Sequence, residues 1–265
     1  MKSENLNSFN TLSNLVGKGK NLVVQSTRMD FDTNTYISEL WKRSNGEWKK
    51  FKSGDSNFSN PKFGDKENTI FYIKTNRAVQ DKSKSKKTLS SIHMQAGRSV
   101  NKIFEIDGSI SNYSLSADGK FIYVTTSEFS EEFKNIENKD SEPMYYENLP
   151  FRFDTRGIIY NKRGHVYKVN LGTSKFNKIV DGDKNHIISI GSLVESDKGV
   201  IFSYEKYNSK GTMLEEKVGS LETKKINEVH SKGSMGNLFY YEGELHAVGL
   251  RNRFDWPTNT AVLKL

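Results

Sequence analysis

The chemically capable side chains of this 265-residue chain are few, and their spacing excludes more than it admits. There is no cysteine, so disulfide frameworks, thiolate zinc sites, iron–sulfur clusters and thiol nucleophiles all fall away. Serine is abundant, but no G-x-S-x-G occurs, so the strand–turn–helix nucleophile elbow is absent. The histidines, His93, His165, His186, His230 and His246, share no metal-type spacing such as H-E-x-x-H, and they read as structural or surface residues. Asp181-Gly182-Asp183 carries only a fragment of a calcium loop and fits a turn between structural units better. Gly17-Lys18-Gly19-Lys20 lacks the spacing of a phosphate-binding loop and reads as a tight hairpin. Trp41 and Trp48 flank a turn and read as packing, not as a ligand cage. No cofactor and no metal are expected.

Charge is the other chemical resource. The formal net charge is +8, unevenly spread: Lys74–Lys102 has eight basic residues and one acid, whereas Glu131–Glu147 has six acids and two lysines. The run Asp81–Lys87 (DKSKSKK) has the makings of a phosphate-binding patch, but no nucleic-acid-binding signature accompanies it. It reads as a solvated connection between two strands, so nucleic acid is not an expected partner. The first 24 residues contain no uninterrupted apolar stretch of the secretory kind, and no run reaches the ~20 apolar residues of a membrane span. A cytoplasmic protein without membrane contact is the simplest expectation.

The elements that must position these residues have a period of two. Asn21–Thr27, Thr69–Thr75, Lys120–Ser127, Gly199–Glu205 and Glu244–Leu250 are β-rich runs. Their central residues Val24, Tyr72, Tyr123, Phe202 and Ala247 are 48, 51, 79 and 45 residues apart, a repeat of about 50 with one long insertion. Each unit opens with a strand, a turn and the β-rich strand, as in Ser114–Val124 with Asp118-Gly119 at the turn. A second hairpin follows, with Gly46, Gly97 and Gly172 at its turn in the first three units. Four strands per repeat give an all-β fold, a β-propeller of four-stranded blades, because one such sheet cannot bury both faces without neighbours. A β-sandwich or up-and-down barrel requires no four-strand unit recurring at this interval. The expected blades are residues 9–53, 58–107, 110–181 with an insertion at 128–160, 187–230, and 236–265, the last lacking its fourth strand. Such an open propeller is expected to be aggregation-prone unless residues 1–8 pair as a strand.

The insertion is the densest segment. Ser130–Asn138 can form a short helix with Phe129, Phe133 and Ile136 on one side. Pro150-Phe151-Arg152-Phe153-Asp154-Thr155-Arg156-Gly157 follows, then Lys162-Arg163-Gly164-His165-Val166-Tyr167. These two runs, with the turn Ser116-Ala117-Asp118-Gly119-Lys120-Phe121-Ile122-Tyr123, resemble the propeller domain of acylaminoacyl-peptidases in the prolyl oligopeptidase family of serine peptidases. The resemblance implies a propeller that precedes an α/β-hydrolase domain holding the Ser-Asp-His triad, and that restricts the catalytic cleft to short or unfolded peptides. In that family the propeller has seven blades; here there are about four and three-quarter, and the hydrolase domain is not among these residues. The expectation is therefore a non-catalytic N-terminal propeller portion, inactive alone, with the hydrolase domain as its partner and peptide reaching it through that domain. Arg152, Phe153, Asp154 and Arg156 are the candidate substrate-gating or domain-docking residues, since a rigid guanidinium fork suits peptide carbonyls and carboxylates. An Arg–Asp pair that only fixes the insertion is the alternative for the site. For the chain, the alternative is a free-standing propeller that binds a protein or polyanion.

Overall fold

The computed structural model describes residues 10–32, 35–77, 88–134, 161–197, 199–222, 225–231, 233–250 and 260–265, with the backbone of 152–153 and 157–158. It is a β-propeller of four-stranded antiparallel blades, five of them, whose last has three strands among the described residues. The chain divides into two compact units, Met1–Ser109 and Ile110–Leu265.

The first unit holds two sheets, each laid down strand after strand. Strands β1 (Thr11–Lys18), β2 (Asn21–Asp30), β3 (Thr35–Ser44) and β4 (Glu47–Lys52) form one, and β5 (Ser56–Phe63), β6 (Thr69–Asn76), β7 (Leu89–Ala96) and β8 (Ser99–Asp107) the other. Alternation in β2 and β6 directs Val23, Ile70 and Tyr72 inward, where they join Leu40 and Phe58 in a shared core between the two sheets. The Lys18 ammonium donates to the Gly64 and Asp65 carbonyls, a charged clamp across the same pair (2.6 and 2.5 Å). Gly17-Lys18-Gly19-Lys20 forms the expected hairpin, with Gly19 at φ +57°.

The second unit holds three blade sheets and one two-stranded sheet among the described residues. The first contains β9 (Ser109–Leu115), which begins on the last residue of the first unit, and β10 (Phe121–Phe129). A single helical turn, α1 (Glu131–Lys134), then precedes the two-residue strands β11 (Arg152–Phe153) and β12 (Gly157–Ile158), which pair with each other. The sheet resumes with β13 (Lys162–Asn170) and β14 (Phe176–Val180), so the insertion separates its second and third strands. After the short helix α2 (Gly182–Asn185) come β15 (Ile187–Ser196), β16 (Gly199–Tyr207), β17 (Leu214–Glu222) and β18 (Lys225–His230). The last sheet is β19 (Ser234–Tyr241), β20 (Glu244–Leu250) and β21 (Ala261–Lys264). Tyr123, Val166, Val180, Ile187, Val200 and Phe202 pack between the first two of these sheets, and Ile201, Val218, Leu245, Ala247 and Leu263 between the second and third.

The repeat extends to the irregularities. The register between first and second strands slips at Ser13/Val16, Ser59/Lys62, Ile190/Leu193 and Gly236/Phe239. Three of these bulges carry a left-handed asparagine, Asn14, Asn60 and Asn237, the non-glycine residue that best tolerates positive φ. Third and fourth strands slip likewise at Leu40/Trp41, Ile92/His93, Val166/Tyr167 and Val218/Gly219. Each bulge increases local twist, which a radially stacked blade needs.

Candidate functional site

The described part of the insertion is its root. Strand β10 continues pairing through Glu128↔Arg163 and Phe129↔Lys162, so Glu128, expected as the insertion's first residue, belongs to the sheet. Ser130 then caps α1, its hydroxyl accepting from the Phe133 amide (3.2 Å), and the Phe129 and Phe133 rings meet at 4.9 Å. The expected helix begins one residue later than the sequence suggests, and 135–138 lie outside the described residues. Of the gating candidates, Arg152 and Phe153 have their backbone in β11, opposite Ile158 and Gly157. Their side chains, and Asp154 and Arg156 altogether, lie outside the described residues, as does the Asp81–Lys87 run.

Beneath the root is a buried polar cluster that the sequence did not announce. Glu128 is almost fully buried; its Oε1 accepts from the Tyr167 hydroxyl (2.9 Å) and the Thr126 hydroxyl (2.8 Å), and Lys134 Nζ lies 3.6 Å from Oε2. Burial, and then the Glu128 charge, push the Tyr167 phenol well above its ordinary range, so it stays a donor. His165 is entirely buried, and its Nδ1 accepts from the Gly182 amide (3.0 Å). Gly182 opens α2, which Asp181 caps by accepting from the Asp183 amide (3.1 Å). Asp183 in turn accepts from the Glu131 amide at the start of α1 (3.3 Å) and lies 3.7 Å from Arg163 Nε. Strand, turn and helix are therefore joined through one imidazole and two carboxylates.

Ligand atoms of His165, Asp181 and Asp183 all lie within 4.8 Å of one another, a spacing a divalent ion can bridge. The tautomer argues against it. With Nδ1 occupied by the Gly182 N–H, the neutral ring carries its proton on Nε2, which offers a donor and not a lone pair. That Nε2 faces Asp183 Oδ2 at 3.8 Å and Glu128 Oε1 at 4.0 Å, and neither Nε2 nor Oδ2 has a hydrogen-bond partner among the described residues. Burial lowers the His165 pKa, aided by Lys178 and opposed by Glu128, Asp183 and Asp181. As arranged, the cluster is a buried tie between β13, α2 and the start of α1.

The other singled-out residues take structural places. His93 lies in β7, stacked on Tyr72 (5.6 Å between centroids, 11° between planes). Burial, and then Lys74, Lys102 and Lys52, depress its pKa to about 4. His246 stacks on Phe239, and Lys50 Nζ lies 5.6 Å from the Trp41 ring centroid, while Trp48 is largely exposed. No described helix is long and apolar enough to cross a membrane.

Blade architecture and a polar-rooted insertion in the third blade define a β-propeller with one elaborated blade. Solved structures share this fold. A Pyrococcus horikoshii acylaminoacyl peptidase is similar over 98% of this chain at 11% identity and a TM-score of 0.67. An acylaminoacyl peptidase in complex with Z-Gly-Gly-Phe-chloromethyl ketone is similar over 97% at 12% identity, also with a TM-score of 0.67. A Mycobacterium tuberculosis puromycin-hydrolyzing peptidase is similar over 98% at 12% identity and a TM-score of 0.54. The chain spans only 39%, 38% and 38% of those three proteins. No protein-family model and no curated protein matches the sequence. The expected likeness to acylaminoacyl-peptidases is thus met in fold, over less than two fifths of each of those chains.

Proposed function

We propose that this chain is a non-catalytic propeller portion of an acylaminoacyl-peptidase-like serine peptidase, working in the cytoplasm and controlling which peptides reach an α/β-hydrolase domain outside these residues. The observation that carries the reading is the match of almost the whole chain to less than two fifths of peptidases of that kind. Two local features support it. The insertion that bears Arg152, Phe153, Asp154 and Arg156 is rooted on a buried, hydrogen-bonded cluster, the kind of base from which a loop can hold a partner. The sequence also has no G-x-S-x-G nucleophile elbow, which fits a division of labour in which another domain carries the catalytic serine. In this proposal the Arg152 and Arg156 guanidinium groups engage carbonyls or carboxylates of the peptide or of the hydrolase domain. The test is direct: the purified 265-residue chain is assayed on acyl-peptides and chromogenic aminoacyl substrates. The proposal expects no turnover; hydrolysis abolished by a serine-directed phosphonate overturns it.

A further inference from the structure

We propose that His165 is a proton-operated latch: on gaining a second proton its imidazole gives up the Gly182 amide and turns to the Asp181 carboxylate, loosening the root of the insertion. The inference is independent of the proposed peptidase role and rests on geometry. In the neutral ring Nδ1 is the acceptor for Gly182 N–H at 3.0 Å, and Asp181 Oδ1 waits 3.7 Å from the same nitrogen. A proton on Nδ1 turns that atom into a donor facing another donor, so the Gly182 bond cannot persist. A carboxylate acceptor for the new N–H stands 3.7 Å away at Asp181 Oδ1, which already caps α2 through the Asp183 amide. One proton therefore removes one of the links between the turn and β13, the Gly182–His165 hydrogen bond, and draws on the bond that caps α2. The loosening is transmitted because Asp183, on that turn, accepts from the Glu131 amide that opens α1.

Charged groups face the ring from each neighbouring element. Glu128 faces Nε2 from β10; Glu131 and Lys134 come from α1; Arg163 and Tyr167 flank it on β13; Lys178 acts from β14; Asp181 and Asp183, with Lys184 paired to Asp181, come from the turn. The three nearest carboxylates favour the imidazolium, whereas burial and Lys178 oppose it, so the latch closes at neutral pH and opens on acidification.

The sign follows from linkage. Because the closed ring's pKa lies below the ordinary 6.5, the opened form binds more protons, and closure weakens as pH falls from 6.5 through the lowered value. Amide exchange of the whole chain, followed by mass spectrometry and corrected for intrinsic chemistry, reads this out. Protection across 181–186 is expected to fall by up to about tenfold per pH unit below 6.5, and protection across 131–134 to fall with it. His165→Asn keeps an acceptor at the Nδ1 position without titrating, and should leave protection at 181–186 flat between pH 7 and 5. Protection that ignores pH in the parent chain, or falls equally in His165→Asn, overturns the latch. Should His165→Asn not fold, the ring ¹⁵N spectrum of the parent chain still decides: an Nε2–H tautomer at pH 7.5 is required, and an Nδ1–H tautomer or an imidazolium there refutes it.

Discussion

Replacing Gly182 by alanine tests the account of the insertion root where it is tightest. A Cβ at this position overlaps the Gly164 carbonyl oxygen and lies 3.0 Å from its carbon and 3.1 Å from the Gly164 nitrogen. Gly164 is itself closely approached: a Cβ placed on it would lie 2.9 Å from the Ile190 nitrogen and the Ser189 carbonyl carbon, so the room for it to retreat is small. The three atoms nearest the new methyl are all Gly164 backbone on β13, so no flexible side chain is there to absorb it. Overpacking of this kind costs about 1–3 kcal/mol. Displacing the turn also strains the buried Gly182–His165 bond, whose loss costs a further ~1–3 kcal/mol. The expected penalty is therefore roughly 2–6 kcal/mol, a large part of the ~5–15 kcal/mol that holds a typical domain together. Urea unfolding followed by far-ultraviolet circular dichroism measures it, with Gly236→Ala as the control. There the nearest atom to a Cβ is the Val248 carbonyl oxygen at 3.7 Å, an ordinary contact. A Gly182→Ala chain that unfolds within about 0.5 kcal/mol of the parent refutes the packing argument.

Further outcomes follow from individual side chains. Phe202 is completely buried between two sheets of the second unit, and Phe202→Ala should cost about 3–5 kcal/mol in the same unfolding assay. Glu195 accepts from the Ala117 amide (2.6 Å) and the Tyr123 hydroxyl (3.0 Å), tying β15 to the preceding sheet. Glu195→Ala should cost ~1–3 kcal/mol by thermal or urea denaturation, and Glu195→Gln less, because an amide oxygen still accepts. Burial pushes the Tyr72 phenol up to about 12; absorbance titration should find it un-ionised at pH 11, with native stability declining as pH rises from 10 towards 12. His93, depressed to about 4, should still be neutral at pH 5 by NMR titration, and its neutral burial withdraws stability as pH falls from 6.5 through 4.

What the sequence disclosed was whatever repeats at fixed intervals. Val24, Tyr72, Tyr123, Phe202 and Ala247 were legible as markers of the repeat, and all five are buried within the second strand of a blade. The pairing register, however, places Val124, and not Tyr123, opposite the bulge residue that matches the partners of Val24 and Tyr72. Asp118-Gly119 was legible as a turn because glycine accepts positive φ, and Gly119 sits at +67°. The left-handed asparagines at 14, 60 and 237 carried a weaker version of the same signal. Asparagine is common in loops, and only the strand pairing shows that these three occupy matching bulges. The Glu128–His165–Asp183 cluster was not legible. Glu128 and His165 are separated by the whole insertion, and their meeting depends on the β10–β13 register, a long-range fact with no local sequence mark. The Asp181–Asp183 pair was read as a turn, which it is, but its service to His165 and to α1 depends on packing.

The proposed role is tested most directly by asking what catalytic domain this chain serves. The tagged 265-residue chain is used as bait in an extract of its native host, and the recovered complex is labelled with a fluorophosphonate that marks active serines. The account predicts that the label falls on an α/β-hydrolase domain bound to the chain, that the chain itself stays unlabelled, and that removing the chain raises cleavage of long peptides relative to short ones. Label on the chain itself, or an identical preference for peptide length with and without it, contradicts the account.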